Sequence, residues 1–402
     1  MLQKGSWFPV LTGRMGSMIG NWILLSVGPV IIYRQTHEGI FIALYYLFLG
    51  APSLLVGPWL GYWAQRFKPQ TLMIGADVSR AVILGSAAVV GNPWILLVTL
   101  FFLTSLGYMF TTGSSLLLSH WAGNRRDALW SLLEVLHNIA VIVGPMTALL
   151  LMHVYHQHLQ YTLLWDAGSF ILSAFGISFL WQIEVPKRTR TVRVSPVRQV
   201  VQGIVALRKQ APQWHAVIMV YVIGMVAGYF SVMVIPYLTA QHMALQGYPL
   251  IVMFQGITGL LASLASATSW RQRTGTLYAS AIAFLLLFST FAWIPTRFAI
   301  VVSIIASMAF FSQFATVVQI QRLNALESNR GAIVNSVESL ENGLELLSGL
   351  LAGLLLRIAG IRWMTTTSVP WIAGITSLAL GMIFVRQRLI STRSLKKGLH
   401  NG

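Results

Sequence analysis

The amino-acid sequence predicts an all-α polytopic membrane protein with twelve transmembrane helices. Apolar residues make up 56% of its 402 residues and charged residues only 9%, which is more apolar surface than a soluble interior could bury. Long segments with few charges recur along the chain, each near the ~20 residues that cross ~30 Å of hydrocarbon as a helix. Runs such as AIAFLLLFSTFAW are too continuous for the alternating strands of a β-barrel.

Twelve such segments follow one another, separated by shorter stretches that carry most of the charge. The predicted spans are 8–33, 39–63, 71–90, 93–118, 129–153, 159–182, 214–240, 247–268, 274–293, 298–321, 332–356 and 364–385. The net charge of +17 could suggest a nucleic-acid partner, but its placement argues against one. With the N-terminus in the cytoplasm, all Lys and Arg except Arg34, Arg297, Arg357 and Arg362 fall on the inner side, as the positive-inside rule requires. We therefore predict a multi-pass protein of the cell membrane with both termini cytoplasmic.

The second half of the chain repeats the plan of the first. A shift of 205 residues aligns the segment that starts at Asn124 with the one that starts at Asn329 without a gap. The same shift carries spans one to six onto spans seven to twelve. We predict an N-terminal six-helix bundle over 1–183, a cytoplasmic linker over 184–212 and a C-terminal six-helix bundle over 213–402. Apolar residues at helical spacing in the linker favour a helix on the membrane surface, and a solvated linker with one helical turn is the alternative.

Five stretches resemble the major facilitator superfamily, in particular its drug-proton antiporter branch with macrolide-efflux and enterobactin-export proteins. In chain order they read RMGSMIGNWILLSVGPVIIY, GPWLGYWAQRFKPQTLMIGADVSRA, VGPMTALL, WDAGSFILSAFGI and VVQGIVALRKQAP. The second resembles the signature loop of the superfamily, although Gln65 stands where an acidic residue is usual. The third, with Gly144 and Pro145, resembles the helix-five motif of antiporters.

The resemblance implies two pseudo-symmetric six-helix bundles around a central site and transport by alternating access. It also implies export of a small amphipathic compound, drug-like, macrolide-like or siderophore-like, in antiport with protons, by a monomer without a cofactor. No G-x-x-x-x-G-K-[ST] sequence occurs, so ATP hydrolysis within this chain is unsupported. A lipid or lysophospholipid flippase, an uptake symporter and a non-transporting membrane sensor are the alternatives.

Three glutamates interrupt an otherwise apolar predicted span. Glu338, Glu341 and Glu345 share one helical face because their spacing is three and four. A charged carboxylate facing lipid at mid-membrane costs about 2.5–3.5 kcal/mol, so we expect this face to point at a cavity or a partner helix. We predict that Glu341 and Glu345 exchange protons during transport, with Glu338 beside them and Glu134 of span five as a secondary candidate. The alternative is that they accept hydrogen bonds from neighbouring helices and never titrate.

Charged residues near the predicted inner ends of the spans are candidates for a gate. Pairs that break when one side opens bias two states rather than stabilise one. Arg125 and Arg126 are expected only to enforce topology. The gating candidates are Gln65, Arg66, Asp77, Arg80 and Arg330.

Helices one, four, seven and ten line the central cavity in the fold that the resemblance implies. Side chains on these helices offer aromatic faces with few polar groups, which suits an amphipathic or aromatic compound. The candidates are Asn21, Trp22, Tyr108, Thr112, Tyr221, Tyr229, Phe230, Phe311, Gln313 and Phe314. The histidines of HVYHQH (153–158) are expected to form a polar turn at the membrane edge rather than a metal site.

Overall fold

The computed structural model describes residues 8–56, 67–122, 126–155, 158–179, 211–266, 274–293, 297–324 and 330–382, and helices account for nearly all of these residues. No strand occurs among these residues. The helices are α1 Phe8–Thr36, α2 Gly39–Leu55, α3 Pro69–Val90, α4 Pro93–Ala122, α5 Arg126–Val154, α6 Leu163–Ser178, α7 Ala211–Ala240, α8 Tyr248–Ser266, α9 Thr274–Ser289, α10 Phe298–Asn324, α11 Arg330–Trp363 and α12 369–382.

The predicted all-helical membrane architecture is confirmed. Within the described ranges, eight helical segments are long and apolar enough to cross a bilayer. Two further apolar helices, Gly39–Pro52 and Thr276–Ala292, are shorter. The total of twelve spans stays a prediction, because residues 57–66 and 180–210 are among those outside the described part.

Local sequence chemistry sets the junction between α3 and α4. The backbone of α3 ends at Gly91, whose φ of 66° is left-handed and whose N–H donates to the Ala87 carbonyl. Glycine reaches this conformation at no steric cost, which makes it a common helix terminator. Asn92 then accepts the Trp94 N–H at 2.9 Å through its side-chain oxygen, which satisfies one of the free donors at the start of α4. The short connection therefore places α3 and α4 side by side.

The internal repeat is visible in the backbone. His37 and His242, which are 205 residues apart, both take left-handed φ values, 54° and 56°. Each follows the end of a helix, α1 or α7, and each donates its N–H to a carbonyl of the preceding turn. Phe298 likewise opens α10 at 205 residues after Pro93 opens α4. Left-handed residues other than glycine are uncommon, so this matched pair supports a duplication of the whole six-helix plan.

The chain divides into two compact units by its internal contacts. The first unit contains α1 to α6 together with Val232–Ile257 and Ala352–Leu354, and the second contains the remaining parts of α7 to α12. These units follow spatial contact, whereas the predicted bundles follow the sequence repeat. The predicted boundaries at 183 and 212 therefore stay a prediction.

Inside the first unit, α1 packs against α5 and α6, and α3 packs against α4 and α6. A buried apolar cluster fills the space between them. Its members are Leu11, Met73, Ala76, Phe110, Leu117, Leu133 and Ile177. Burial of this kind holds helices together through van der Waals packing, because lipid is as apolar as the side chains themselves.

Short stretches of α8 and α11 also belong to the first unit, and glycines allow their close approach. A Cβ built on Gly256 would lie 3.2 Å from Val141 Cβ of α5. A Cβ on Gly353 of α11 would lie 2.5 Å from Ala43 Cβ of α2. The hydroxyls of Tyr46 and Tyr248 meet at 3.0 Å. Small residues at membrane helix contacts permit such backbone proximity, so these crossings depend on glycine.

Candidate functional site

A buried arginine lies at the centre of the first unit. The Arg80 side chain of α3 is only 2% exposed. Its guanidinium donates to Asp77 Oδ1 at 3.2 Å, to Ser17 Oγ at 2.9 Å and to Asn21 Oδ1 at 3.5 Å. Its central carbon also lies 3.7 Å from the Phe170 ring centroid, a cation–π distance. Contacts from α1, α3 and α6 therefore replace water around this charge.

Two aspartates accompany Arg80, and we call these three residues, Asp77, Arg80 and Asp166, the buried charge cluster. Both aspartates are completely buried. Asp77 pairs with Arg80, whereas Asp166 Oδ1 accepts the Ser169 hydroxyl at 3.3 Å. The second carboxyl oxygen of each aspartate has no hydrogen-bond partner among the described residues. Buried polar groups are rarely left without a hydrogen bond, so these two carboxyl oxygens are unusual and indicate a functional role for the cluster.

Glycines on α1 make room for these side chains of α6. A Cβ on Gly20 would lie 2.0 Å from Asp166 Oδ1, so no other residue fits there without displacing the carboxyl. A Cβ on Gly13 would lie 3.1 Å from Ser173 Oγ, again on α6. The spacing of Gly13 and Gly20 on one face of α1 thus admits Asp166 and Ser173 between the helices.

The predicted gating pair Asp77 and Arg80 is therefore located inside the first unit. Asp77 lies eight residues into α3, about 12 Å along the helix axis. Its gating role stays a prediction. Gln65 and Arg66 fall outside the described residues, and the Arg330 side chain does as well, although its backbone opens α11.

The antiporter-like motif packs directly onto α1. Gly144 and Pro145 of α5 are both buried. A Cβ on Gly144 would lie 2.4 Å from Trp22 Cβ and 2.9 Å from the Ile19 carbonyl oxygen. The Trp22 ring meets the His137 ring of α5 edge-on at 5.9 Å. Glycine at this position brings the two helix backbones together beside Trp22.

Of the predicted proton-coupling glutamates, the structure describes the side chain of Glu345. It is partly buried on α11 in the second unit. A Cβ on Gly228 of α7 would lie 2.2 Å from the Glu345 carbonyl oxygen, so α7 and α11 touch at this level. The side chains of Glu134, Glu338 and Glu341 lie outside the described part. The coupling role of all four stays a prediction.

The cavity candidates on α1 and α4 have accessible side chains. Asn21 is exposed and Trp22, Tyr108 and Thr112 are partly buried. The Thr112 hydroxyl donates to the Tyr108 carbonyl at 2.8 Å, a backbone contact common for threonine in helices. These four side chains remain candidates for substrate contact.

The cavity candidates on α7 and α10 differ in burial. Tyr221 and Phe311 are partly buried, and Gln313 is exposed. Three others are buried in packing: Tyr229, Phe230 and Phe314. The Tyr229 hydroxyl meets Ser368 Oγ at 2.5 Å, Phe230 lies 5.2 Å from Phe291, and Phe314 stacks on Phe310 at 6.2 Å. The contacts of Tyr229 and Phe230 are with residues outside α7, whereas Phe314 stacks on a residue of its own helix α10. Their substrate role stays a prediction.

Sequence reasoning missed Asp166 as a site residue, together with Ser17, Ser173 and Phe170. The stretch WDAGSFILSAFGI, which contains Asp166, Phe170 and Ser173, entered the sequence analysis only as evidence of the family resemblance. The available signal was a single aspartate within an apolar span, because ionisable residues inside membrane helices mark functional sites. Of the histidines in HVYHQH, His153 and His158 are exposed, and His156 lies outside the described residues.

Comparison with known proteins gives the family. The profile described as Major Facilitator Superfamily matches residues 10–343, which is most of the chain. The chain belongs to the Major Facilitator Superfamily. It is accordingly a multi-pass membrane transporter and not an enzyme.

Among relatives of this superfamily transporter, the MFS-type transporter YfiS of Bacillus subtilis is 25% identical over 180 residues. The match spans 44% of this chain and 42% of YfiS, so less than half of the relative is covered. Solved transporter structures are similar to this chain over nearly its whole length. The nucleoside transporter NupG has a TM-score of 0.75 at 15% identity, with 96% of this chain and 99% of NupG covered. A bacterial homologue of the iron transporter ferroportin has a TM-score of 0.68 at 15% identity, with 96% and 99% covered.

Replacement of Gly144 by alanine should destabilise the transporter by about 1–3 kcal/mol, because the added methyl group overpacks the contact with Trp22. Thermal unfolding of the detergent-solubilised protein, followed by size-exclusion chromatography, measures the effect. Gly168→Ala is the matched control, since a Cβ there meets no atom within 4 Å. Equal melting temperatures for the two variants would contradict the close α1–α5 contact.

Replacement of Arg80 by leucine should lower stability by about 3–5 kcal/mol, because it leaves buried carboxyls without their cation. Adding Asp77→Asn to Arg80→Leu should restore part of the loss. The same thermal assay, with Arg297→Leu as a control at an exposed position, measures both changes. A double variant no more stable than Arg80→Leu would mean that Asp77 does not need the guanidinium.

Proposed function

We propose that this transporter exports a small amphipathic compound, drug-like, macrolide-like or siderophore-like, in exchange for protons. It acts in the cytoplasmic membrane with both termini inside, where most of its Lys and Arg then fall. The inward proton gradient can drive such exchange, since about 2.3 kcal/mol per charge is available for each 100 mV.

The observation that carries this proposal is the position of Gly144. The motif VGPMTALL resembles the one that antiporters carry in helix five, and here its glycine presses against α1 at Trp22. Trp22 follows Asn21, which Arg80 contacts. A movement of α5 would therefore displace α1 at the point where Trp22, a candidate for substrate contact, lies close to the buried Arg80.

The accessible side chains support an amphipathic substrate. Trp22 and Tyr108 present partly exposed aromatic rings, while Asn21 and Thr112 add polar groups. Ring faces attract organic cations as well as planar apolar groups. Binding sites for small molecules combine such apolar walls with a few polar contacts.

Glu345 and Glu341 are the proposed proton carriers, with Glu338 beside them and Glu134 as a second candidate on α5. Glu345 is partly buried next to the α7 contact, so it can respond to a movement of α7 against α11. A carboxyl group that gains or loses a proton when its access changes can couple the gradient to the transport cycle.

Transport into acid-interior proteoliposomes tests the proposal, with ethidium, rhodamine 6G and erythromycin as probes. A pH-sensitive dye inside should report proton loss when a probe is added, because each probe molecule entering exchanges for protons. The variant Glu341→Gln with Glu345→Gln should abolish this exchange. Glu38→Gln, at an exposed position, should retain it.

Other outcomes of this assay would assign another function. Lipid scrambling without probe uptake would mean a flippase, and probe accumulation with an inward proton flux would mean a symporter. Probe binding with no flux would mean a sensor. Unchanged exchange in the double glutamine variant would place the proton carriers elsewhere.

Alternating access requires the α5–α8 contact to open. A disulfide between Val141→Cys and Gly256→Cys should therefore stop probe transport, and a reducing agent should restore it. The chain contains no cysteine, so the introduced pair is free of competing thiols. The two Cβ positions are 3.2 Å apart, close to the span of a disulfide.

A second pair provides the control for cross-linking. Gly113→Cys with Leu72→Cys joins α4 to α3, where a Cβ on Gly113 lies 3.5 Å from Leu72 Cβ and 2.8 Å from the Pro69 carbonyl oxygen. Transport by the reduced form of each variant is therefore the reference for its cross-linked form. These helices belong to one six-helix repeat and should move together. Transport that continues through the Val141–Gly256 cross-link would contradict the proposed opening.

A further inference from the structure

We propose that the buried charge cluster is a proton-binding site, in which Asp77 and Asp166 hold one proton between them beside Arg80. This assigns a second set of titrating groups to the chain, distinct from the glutamates of α11. Its role in the transport cycle rests on the proton antiport proposed above, whereas proton binding itself can be measured without any substrate.

The charge balance of the cluster calls for a proton. Asp77 pairs with Arg80, and Asp166 is completely buried against Gly20 of α1, next to the Asn21 that Arg80 also contacts. Full ionisation of both carboxyls would therefore leave two buried negative charges with one ion-paired guanidinium. Other buried ionisable groups of the first unit bond to partners other than the two aspartates. Arg14 of α1 donates to Ser114 of α4, and the Tyr45 hydroxyl of α2 donates to the Leu24 carbonyl. Within the described residues, Asp77 has no ion pair besides Arg80, and Asp166 has no ion pair.

The hydrogen bonding of the cluster leaves a place for that proton. Asp77 Oδ2, Asp166 Oδ2 and Ser173 Oγ are all buried without a hydrogen-bond partner in the described part of the chain. The Ser173 hydroxyl lies beside the Asp77 carboxyl. A protonated Asp77 can donate to this hydroxyl, and an ionised Asp77 can accept from it. The site thus accommodates both protonation states.

The internal repeat shows that the fold itself does not need these charges. Positions 205 residues after Asp77, Arg80 and Asp166 are Ile282, Leu285 and Trp371. Leu285 is completely buried, so the equivalent helix packs with an apolar side chain where α3 has Arg80. Because Leu285 fills the repeat position of Arg80, helix packing at this position does not by itself require an ion pair.

The cluster is connected to the candidate substrate surface through α1. Arg80 contacts Ser17 and Asn21 of α1, and Asp166 packs against the same helix at Gly20. Asn21 is exposed, which makes it the link between the buried carboxyls and the outside of the unit. Loss or gain of the proton changes how strongly Arg80 is held by Asp77, and hence how it holds α1.

Difference infrared spectroscopy of the whole protein in lipid nanodiscs tests the site. The chain has three aspartates, Asp77, Asp127 and Asp166, so labelling aspartate with carbon-13 marks the cluster almost selectively. At neutral pH we expect a protonated-carboxyl C=O band that shifts with the label and disappears as the pH is raised. Asp77→Asn with Asp166→Asn should remove the band, whereas Asp127→Asn and Glu345→Gln should leave it.

The labelled wild-type protein keeps the test independent of any variant that fails to fold. Absence of a label-sensitive band at neutral pH would overturn the proposal, because both aspartates would then be ionised. A band that persists in the Asp77→Asn, Asp166→Asn variant, or that stays unchanged as the pH is raised, would also overturn it. A band without pH-driven probe transport would refute the antiport but retain the proton site.

Discussion

The hydrocarbon core of a membrane contains no water to solvate a charged group, so the protein itself must solvate the buried guanidinium of Arg80. The packing of the first unit around α1, α3 and α6 meets this requirement. The guanidinium is neutralised from its own helix by Asp77 and solvated by Ser17 and Asn21 from α1. The Phe170 ring of α6 covers its face. Glycines on α1 provide the space that this arrangement needs. The close approach of α1 to α6 and the burial of the charge are therefore two aspects of one packing solution.

Helix positions were predictable because bilayer thickness fixes the length of an apolar run, whatever its neighbours are. The starts of α2, α4, α9 and α10 fall where the sequence predicts them. The discrepancies lie at the ends. The predicted span 159–182 begins with the 3₁₀ turn Leu159–Thr162, and the predicted span 364–385 begins with a π turn over Met364–Ser368. Hydroxyl groups such as that of Thr365 bond to backbone carbonyls there, and hydropathy does not report such local competition.

The site was less predictable than the helices, for a physical reason. In a soluble protein, polar residues mark the solvent-facing side of a helix, so its buried side can be read from the sequence. A membrane helix is apolar on every side and gives no such signal. The sequence therefore indicates that Asp77 and Arg80 lie on α3 but not that they face α6. Asp166 could be recognised as an unusual residue in its span, but its partner on another helix depends on tertiary packing. The need for glycine at position 20 is visible only in the structure, where Asp166 of α6 packs against it.

The two sequence repeats use the same scaffold with different interiors, and this difference suggests where coupling can arise. A group can bias a conformational change only if its interactions differ between the two states. The charge cluster meets this condition because its contacts cross from α3 and α6 to α1. Any displacement of α1 changes the neighbours of Asp77 and Asp166 together. The apolar counterparts Ile282 and Leu285 carry no charge, so their contacts cannot depend on protonation. From this asymmetry we expect charge-dependent control of α1 in the first repeat.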